Sequence, residues 1–230
     1  MDQVQNTYEE GRVLLIDKPY DWTSFDVIRK VRNVLRIRKI GHAGTLDPLA
    51  SGLLILCTGK FTKRINDYMA AEKEYIGSFT LGATTPTYDL ESEPENFQPI
   101  GNLTETELQN ATKPFTGDIL QVPPMHSAIK KDGKRIYKLA RQGKEIELEP
   151  RKITISEFGI TKIELPMVHF RVVCTTGTYI RSLANDYGKM LGTGAYLSGL
   201  VRTRIGEFHI KDAVTIQQLE DEAHKSGPAK

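Results

Sequence analysis

The stretch Gly41-His42-Ala43-Gly44-Thr45-Leu46-Asp47-Pro48-Leu49-Ala50-Ser51-Gly52 constrains this chain more than any other. Its glycines let the backbone turn and come close to a ligand where a side chain would block it. Pro48 fixes the chain after Asp47 and biases Asp47 itself toward an extended conformation. A basic segment precedes the loop, and the apolar run Leu53-Leu54-Ile55-Leu56-Cys57 follows it. A loop so heavily specified, set between a charged and an apolar segment, reads as a site rather than a connector. The apolar run within residues 51–60 is a strand or a buried helical turn, and periodicity alone does not decide which.

A chain of 230 residues with 39% hydrophobic and 26% charged content can bury one sizeable core and has the composition of a soluble globular protein. Cys57 and Cys174 lie in apolar runs and read as reduced core thiols. No Cys/His spacing suggests zinc, so no metal is expected. The N-terminus carries neither a basic nor an apolar targeting region, and no apolar stretch approaches a membrane span; the cytoplasm is the expected compartment. The net charge of +2 conceals a segregated pattern. Arg29, Lys30, Arg32, Arg36, Arg38 and Lys39 form a run without an acid, and residues 130–144 hold a second basic run with only Asp132 against it. Either run alone is as readily a solvated helix face. Two of them flanking the Asp47 loop point to a polyanion such as nucleic acid.

Hydrophobic periodicity predicts a strand over 11–18, a helix from Thr23-Ser24 to about Arg36 with Phe25, Ile28, Val31 and Leu35 as its stripe, and an alternating strand over 73–83. Residues 84–102 read as a polar excursion, 104–111 as a short capped helix and 134–142 as a basic helix. Strands are expected over 151–163, 168–175 and within 201–210, and helices over 178–191 and 216–223. Strands outnumber long helices and hairpin-like spacings dominate. The expected class is α+β, with a mixed, largely antiparallel central sheet flanked by helices in a single domain.

Three constellations could carry chemistry. Asp47 could be a nucleophile, a general base or an electrostatic stabiliser, although a turn aspartate by itself is more often a local hydrogen-bonder. Arg181 falls in the first turn of a helix, where a cation opposes the macrodipole unless an anion is near; a carboxylate such as Asp47, or a phosphate, would supply the reason. Tyr75 opens the alternating strand and could stack on a nucleobase, or be an ordinary strand aromatic. The phosphate-loop pattern fails over 52–60, and Gly192-Thr193-Gly194 lacks the context of a dinucleotide site.

Together the residues resemble the TruB family of tRNA pseudouridine synthases. The loop 41–52 is similar to that family's catalytic signature, with Asp47 at the nucleophile position. Leu15-Ile16-Asp17-Lys18-Pro19 with Thr23-Ser24, Lys73-Glu74-Tyr75, Gln121-Val122-Pro123-Pro124 with Ser127-Ala128, Gly177-Thr178-Tyr179-Ile180-Arg181, and Leu200 through Arg202-Thr203 match in order across residues 11–222. The resemblance implies the pseudouridine synthase fold and isomerisation of uridine to its C-glycoside at tRNA position 55, in the T loop, with no cofactor. Asp47 would be the essential carboxylate, Arg181 its partner, and Tyr75 the ring that stacks on the flipped uracil and helps remove the C5 proton. Leu200 and Tyr179 would line the pocket, His42 would fill the gap left in the RNA loop, and Lys63 and Arg202 would be further RNA-binding positions. Flipping the base costs a few kcal/mol of unstacking, which an aromatic pocket and an inserted ring offset. The chain ends soon after Glu220, so the C-terminal PUA domain of many relatives is expected to be absent or vestigial. That favours a stand-alone monomer acting on the T arm of tRNA without guide RNA or membrane. The competing readings are an RNA-binding or folding module without catalysis and a carboxylate-dependent nucleoside or glycoside hydrolase.

Overall fold

The computed structural model describes residues 8–125, 127, 130–131, 134–135 and 148–225. The chain forms two compact units, one comprising residues up to Tyr75 together with those from Leu200 onward, the other Ile76–Gly199.

The first unit is organised by the apolar run. Leu53 to Cys57 are fully buried in strand β3 (Ala50–Thr58), which resolves the strand-or-helix ambiguity. Side chains alternate across a strand, so a continuous apolar run must be covered on both faces. Leu54 and Leu56 pack with Ile16, Val27, Ile28, Val31 and Leu219; Leu53, Ile55 and Cys57 pack with Ala43 and Ile205. Strand β1 (Val13–Lys18) pairs antiparallel with β3, and β2 (Ile40–His42) pairs antiparallel with its far end. The last part of β10 (Ala195–Ile205) runs parallel to β3, with Leu200 opposite Ala50 and Arg202 opposite Gly52.

Helix α1 (Ser24–Leu35) begins with a reciprocal cap between Thr23 and Asp26 and ends at Arg36 in the left-handed conformation. Of the expected stripe, Ile28 and Val31 are buried and Leu35 packs against the same core, while Phe25 is 63% exposed; Ser24 and Val27 take the covered positions at the helix start. A 3₁₀ turn (Gly59–Arg64) leads into α2 (Ile65–Ala70).

In the second unit the sheet order is β10, β4 (Lys73–Leu81), β9 (Met167–Cys174), β8 (Arg151–Glu164) and β5 (Gly117–Gln121); β4 and β10 each contribute residues to both units. Its core is aromatic: Phe79 stacks on Phe170 at 4.2 Å between centroids, and Phe158 and Tyr187 approach Phe79 at 6.3 and 5.5 Å. The buried Tyr187 hydroxyl donates to the Leu108 carbonyl of α3 (Glu105–Asn110), which carries the expected Thr104/Glu107 cap. Strand β10 starts at Ala195, earlier than the expected 201, and runs through Gly199, where a Cβ would lie 2.9 Å from the Ser78 hydroxyl.

The expected basic helix over 134–142 is not formed at its start. Lys134–Arg135 (β7) pairs antiparallel with Lys130–Lys131 (β6), and the intervening Asp132-Gly133 is the sequence signal of a two-residue hairpin. Residues 136–142 lie outside the described residues. Helix α4 (Ile180–Leu191) has Tyr179 as its N-terminal cap residue, α5 (Ile216–Lys225) docks on the first unit through Leu219, and Phe208–His209 (β11) pairs with the end of β10. The thiols of Cys57 and Cys174 are buried, and burial pushes that of Cys57 up to about 11. Among the described residues no helix is long and apolar enough to cross a membrane.

Candidate active site

The Asp47 loop is fixed through its backbone from three directions. The Ser24 hydroxyl accepts from the Leu46 N–H at 2.9 Å and lies 3.1 Å from the Leu46 carbonyl to which it donates. Thr23 supplies the helix cap, which leaves Ser24 for this contact. The Pro48 carbonyl accepts from the Asp21 N–H at 3.0 Å and from Lys18 Nζ at 3.2 Å. Arg202 reaches the loop from β10: its Nε donates to the Leu53 carbonyl at 2.8 Å, Nη2 to Gly44 at 3.2 Å and Nη1 to Thr45 at 3.4 Å. The Asp47 carbonyl itself accepts from Ala50 N–H at 3.1 Å. Gly52 at φ +98° permits the close approach of β10, since a Cβ there would lie 2.5 Å from the Arg202 carbonyl. A half-buried carboxylate is thus held on a loop with little freedom left.

Two buried cations, Lys18 and Arg202, hold this loop, and Lys18 interacts electrostatically with Asp47. The Lys18 ammonium also donates to the Pro19 carbonyl at 2.9 Å and to that of Trp22. Burial lowers its pKa to about 8, against the pull of Asp47, which raises it, with Arg202 lowering it further. An unfolded lysine titrates near 10.5, so between the two values the unfolded chain binds the extra proton. The Lys18 contribution to stability is therefore least favourable below pH 8 and grows as the pH rises toward 10.5. Compared with Lys18→Met, the wild type is expected to gain up to ~3 kcal/mol over that window. Urea denaturation of both proteins at pH 7.5, 9 and 10 reads this difference directly, and parallel pH profiles would sink it.

The other expected site residues of the first unit lie on β2, β4, β10 and the 3₁₀ turn. His42 ends β2 and is half-buried; burial lowers its pKa, the Gly44 backbone opposes this, and Arg202 lowers it further, so the ring is neutral at pH 7. Tyr75 is half-buried near the start of β4. That start is anchored by Lys73, which donates to the Ala71 carbonyl at 2.6 Å and to that of Met69, and by the Glu74 carboxylate, which accepts from the Thr203 hydroxyl at 2.7 Å. Leu200 is half-buried beside Ala50. Lys63 is exposed on the 3₁₀ turn. Arg202, expected at the RNA, is 1% exposed and directs its guanidinium at the chain's own carbonyls.

Arg181 and Tyr179 belong to the second unit, at the start of α4. The guanidinium of Arg181 is buried. Its Nη1 lies 3.4 Å from the Thr87 carbonyl, and its Nε lies 3.6 Å from a carboxylate oxygen of Asp89. Asp89 is also buried and its other oxygen accepts from the Glu91 N–H at 3.0 Å. This is an anion at the helix start of the kind the placement of Arg181 calls for. The start of the 84–102 segment is therefore more than a polar excursion, since Thr85, Thr87 and Asp89 are all buried. Gln121 clasps the Tyr179 backbone with both ends of its amide, accepting from its N–H at 2.8 Å and donating to its carbonyl at 3.1 Å. Sequence reasoning placed Lys18, Ser24 and Gln121 within the ordered motifs without giving them a role at the site, and it gave Asp89 none. Among the described residues no cluster of His, Cys, Asp and Glu could hold a metal ion.

The family model described as TruB family pseudouridylate synthase (N terminal domain) matches residues 32–180, and that described as tRNA pseudouridylate synthase B C-terminal domain matches 181–229. The chain belongs to the TruB family of pseudouridylate synthases. It is similar to a curated protein of Flavobacterium johnsoniae named tRNA pseudouridine synthase B, 52% identical over 221 residues that cover 93% of this chain and 96% of that protein. A protein of the same name from Phocaeicola vulgatus is 46% identical over 220 residues, covering 93% and 94%. Among solved structures, a chain of a Cbf5-Nop10-Gar1 complex superposes with a TM-score of 0.75 at 31% identity, covering 96% of this chain and 56% of that one. A chain of an H/ACA RNP bound to a substrate RNA containing 2'-deoxyuridine gives 0.71 at 29%, covering 96% and 55%. This chain thus spans little more than half the length of those structural relatives. The α+β class with a mixed sheet is that of the TruB family's structural relatives.

Proposed function

We propose that this chain is a tRNA pseudouridine synthase that acts on the T-loop uridine at position 55 as a stand-alone monomer, without guide RNA or cofactor. The observation that carries the reading is the 52% identity with tRNA pseudouridine synthase B of F. johnsoniae over 96% of that protein's length. The loop geometry supports it: an isomerase with a single essential carboxylate needs that group held rigidly, and Lys18, Ser24 and Arg202 hold this one.

In the reaction the N1–C1' bond of the uridine breaks, the base turns, and a C5–C1' bond forms; the C5 proton leaves and N1 gains a proton, so no oxidant or reductant is required. Asp47 serves either as the nucleophile at C1' or by assisting the cleavage. Arg181 is its cationic partner, Tyr75 stacks on the base and assists loss of the C5 proton, Tyr179 and Leu200 line the pocket, and the neutral His42 ring enters the RNA loop. The test is a T-arm stem-loop carrying tritium at C5 of the target uridine, incubated with the chain in EDTA. Stoichiometric release of tritium is expected. Release from full tRNA alone would remove the T arm as the sufficient substrate, and no release from either would leave an RNA-binding module.

A further inference from the structure

Two hollows of similar size open on the first unit, and their charges are handled differently. One, of about 250 Å³, is lined by Asp26, Arg29 and Lys30 among others. Its cations are already neutralised, Arg29 by Asp26 at 2.9 Å and Lys30 by Glu220 at 2.5 Å. The other, of about 260 Å³, is lined by Arg38, Lys39, Lys60 and Lys63, with Glu9 as its one acid. Among the described residues none of these four cations makes an ion pair.

The second hollow is built rather than incidental. Gly59 lines it at φ +49°, and a Cβ there would lie 2.0 Å from the Glu9 carbonyl oxygen, so the chain at Glu9 passes directly against a residue that must be glycine. The Gly59 N–H donates to the Lys39 carbonyl at 2.9 Å, which ties two lining segments together. All four cations are exposed, and such a cluster of one sign on one face attracts a polyanion. The space suits a phosphodiester group and is small for a larger ligand. Lys39 directly precedes β2, which ends at His42. At ~3.3 Å per residue the hollow therefore begins about 10 Å from that ring along the strand, a span of a few nucleotides.

We propose that this hollow is a phosphate subsite that grips the backbone of the substrate RNA close to the target uridine. The assignment rests on the RNA reading above and adds to it a fixed anchor point, which sets the register of the strand entering the Asp47 loop. Phosphate contacts of this kind position a nucleic acid without reading its sequence.

The test is fluorescence anisotropy with a labelled T-arm stem-loop across a salt series. The pair compared is Lys39→Gln/Lys60→Gln and the control Lys162→Gln/Lys211→Gln, which removes equal charge elsewhere. The hollow variant is expected to bind about tenfold more weakly at moderate salt, with the slope of log affinity against log salt reduced by about one, and the control to stay within about twofold. Equal losses in the two variants, an unchanged slope, or failure of the wild type to bind would overturn the subsite. A methylphosphonate scan of the RNA on the wild-type protein gives an independent reading. One neutralised linkage near the target uridine should weaken binding, and the absence of any such linkage contradicts the proposal. If the RNA binds as described but no tritium is released, the isomerase reading falls and the phosphate subsite stands.

Discussion

Asp47→Asn is expected to lower tritium release by more than ~10³-fold while leaving RNA affinity within about threefold. The substitution is isosteric and removes only the charge and the nucleophilic oxygen pair. The bonds that fix the loop go to backbone atoms of Gly44, Thr45, Leu46, Asp47 and Pro48, so they survive the exchange of a carboxylate for an amide. A retained fold with lost turnover therefore isolates the chemistry. The exchange also removes the foremost of the carboxylates that raise the Lys18 pKa, so Lys18 should titrate below its wild-type value of about 8. Single-turnover kinetics on the tritiated stem-loop, with anisotropy for binding, checks both halves. Near-normal turnover would refute the role given to Asp47, and equal loss of binding and turnover would make Asp47 an RNA-docking residue instead.

Arg202→Met is expected to destabilise the fold by about 3–5 kcal/mol, the cost of stripping a buried cation from its partners. For a chain of this size that is a fall in Tm on the order of 10 °C. Three carbonyls, those of Gly44, Thr45 and the fully buried Leu53, lose their donor at once. The same contacts set where Asp47 stands, so Arg202 is a positioning residue. Arg202→Lys keeps the charge but cannot present a guanidinium fork to three carbonyls. That variant should fold, with kcat reduced by about 10²-fold and KM little changed, since a small displacement of a catalytic group has effects of that size. If Arg202 instead met the RNA, KM would rise, the salt slope would fall, and Tm would hold. Differential scanning calorimetry and the kcat/KM split separate the two cases.

Both expectations concern side chains whose importance the sequence signalled but whose use it did not disclose. The Asp47 loop stood out because its glycines and proline specify the backbone locally. Arg202 could be marked only as a member of a motif. Its burial depends on the parallel pairing of β10 with β3, which sets Arg202 opposite Gly52, and no local pattern encodes a pairing between residues so far apart. Phe25 misled for a related reason: spacing correctly groups Ile28, Val31 and Leu35 on the covered face, but how α1 lies on β3 decides where that face begins, and Phe25 falls outside it. The capped starts of α1 and α3 were legible because a cap is a contact between residues three apart.

By itself the sequence determined the strands and helices that rest on local periodicity, the caps, the segregation of basic charge, and the ordered motifs around Asp47, Tyr75 and Arg181. Only the tertiary structure decided that Lys18 and Arg202 are buried cations holding the Asp47 loop, that Asp89 accompanies Arg181, and that four cations without an ion pair among the described residues line one hollow. The reason is physical. Propensity and periodicity act over a turn or two of chain, whereas burial, desolvation and charge pairing depend on which distant segments come to lie side by side.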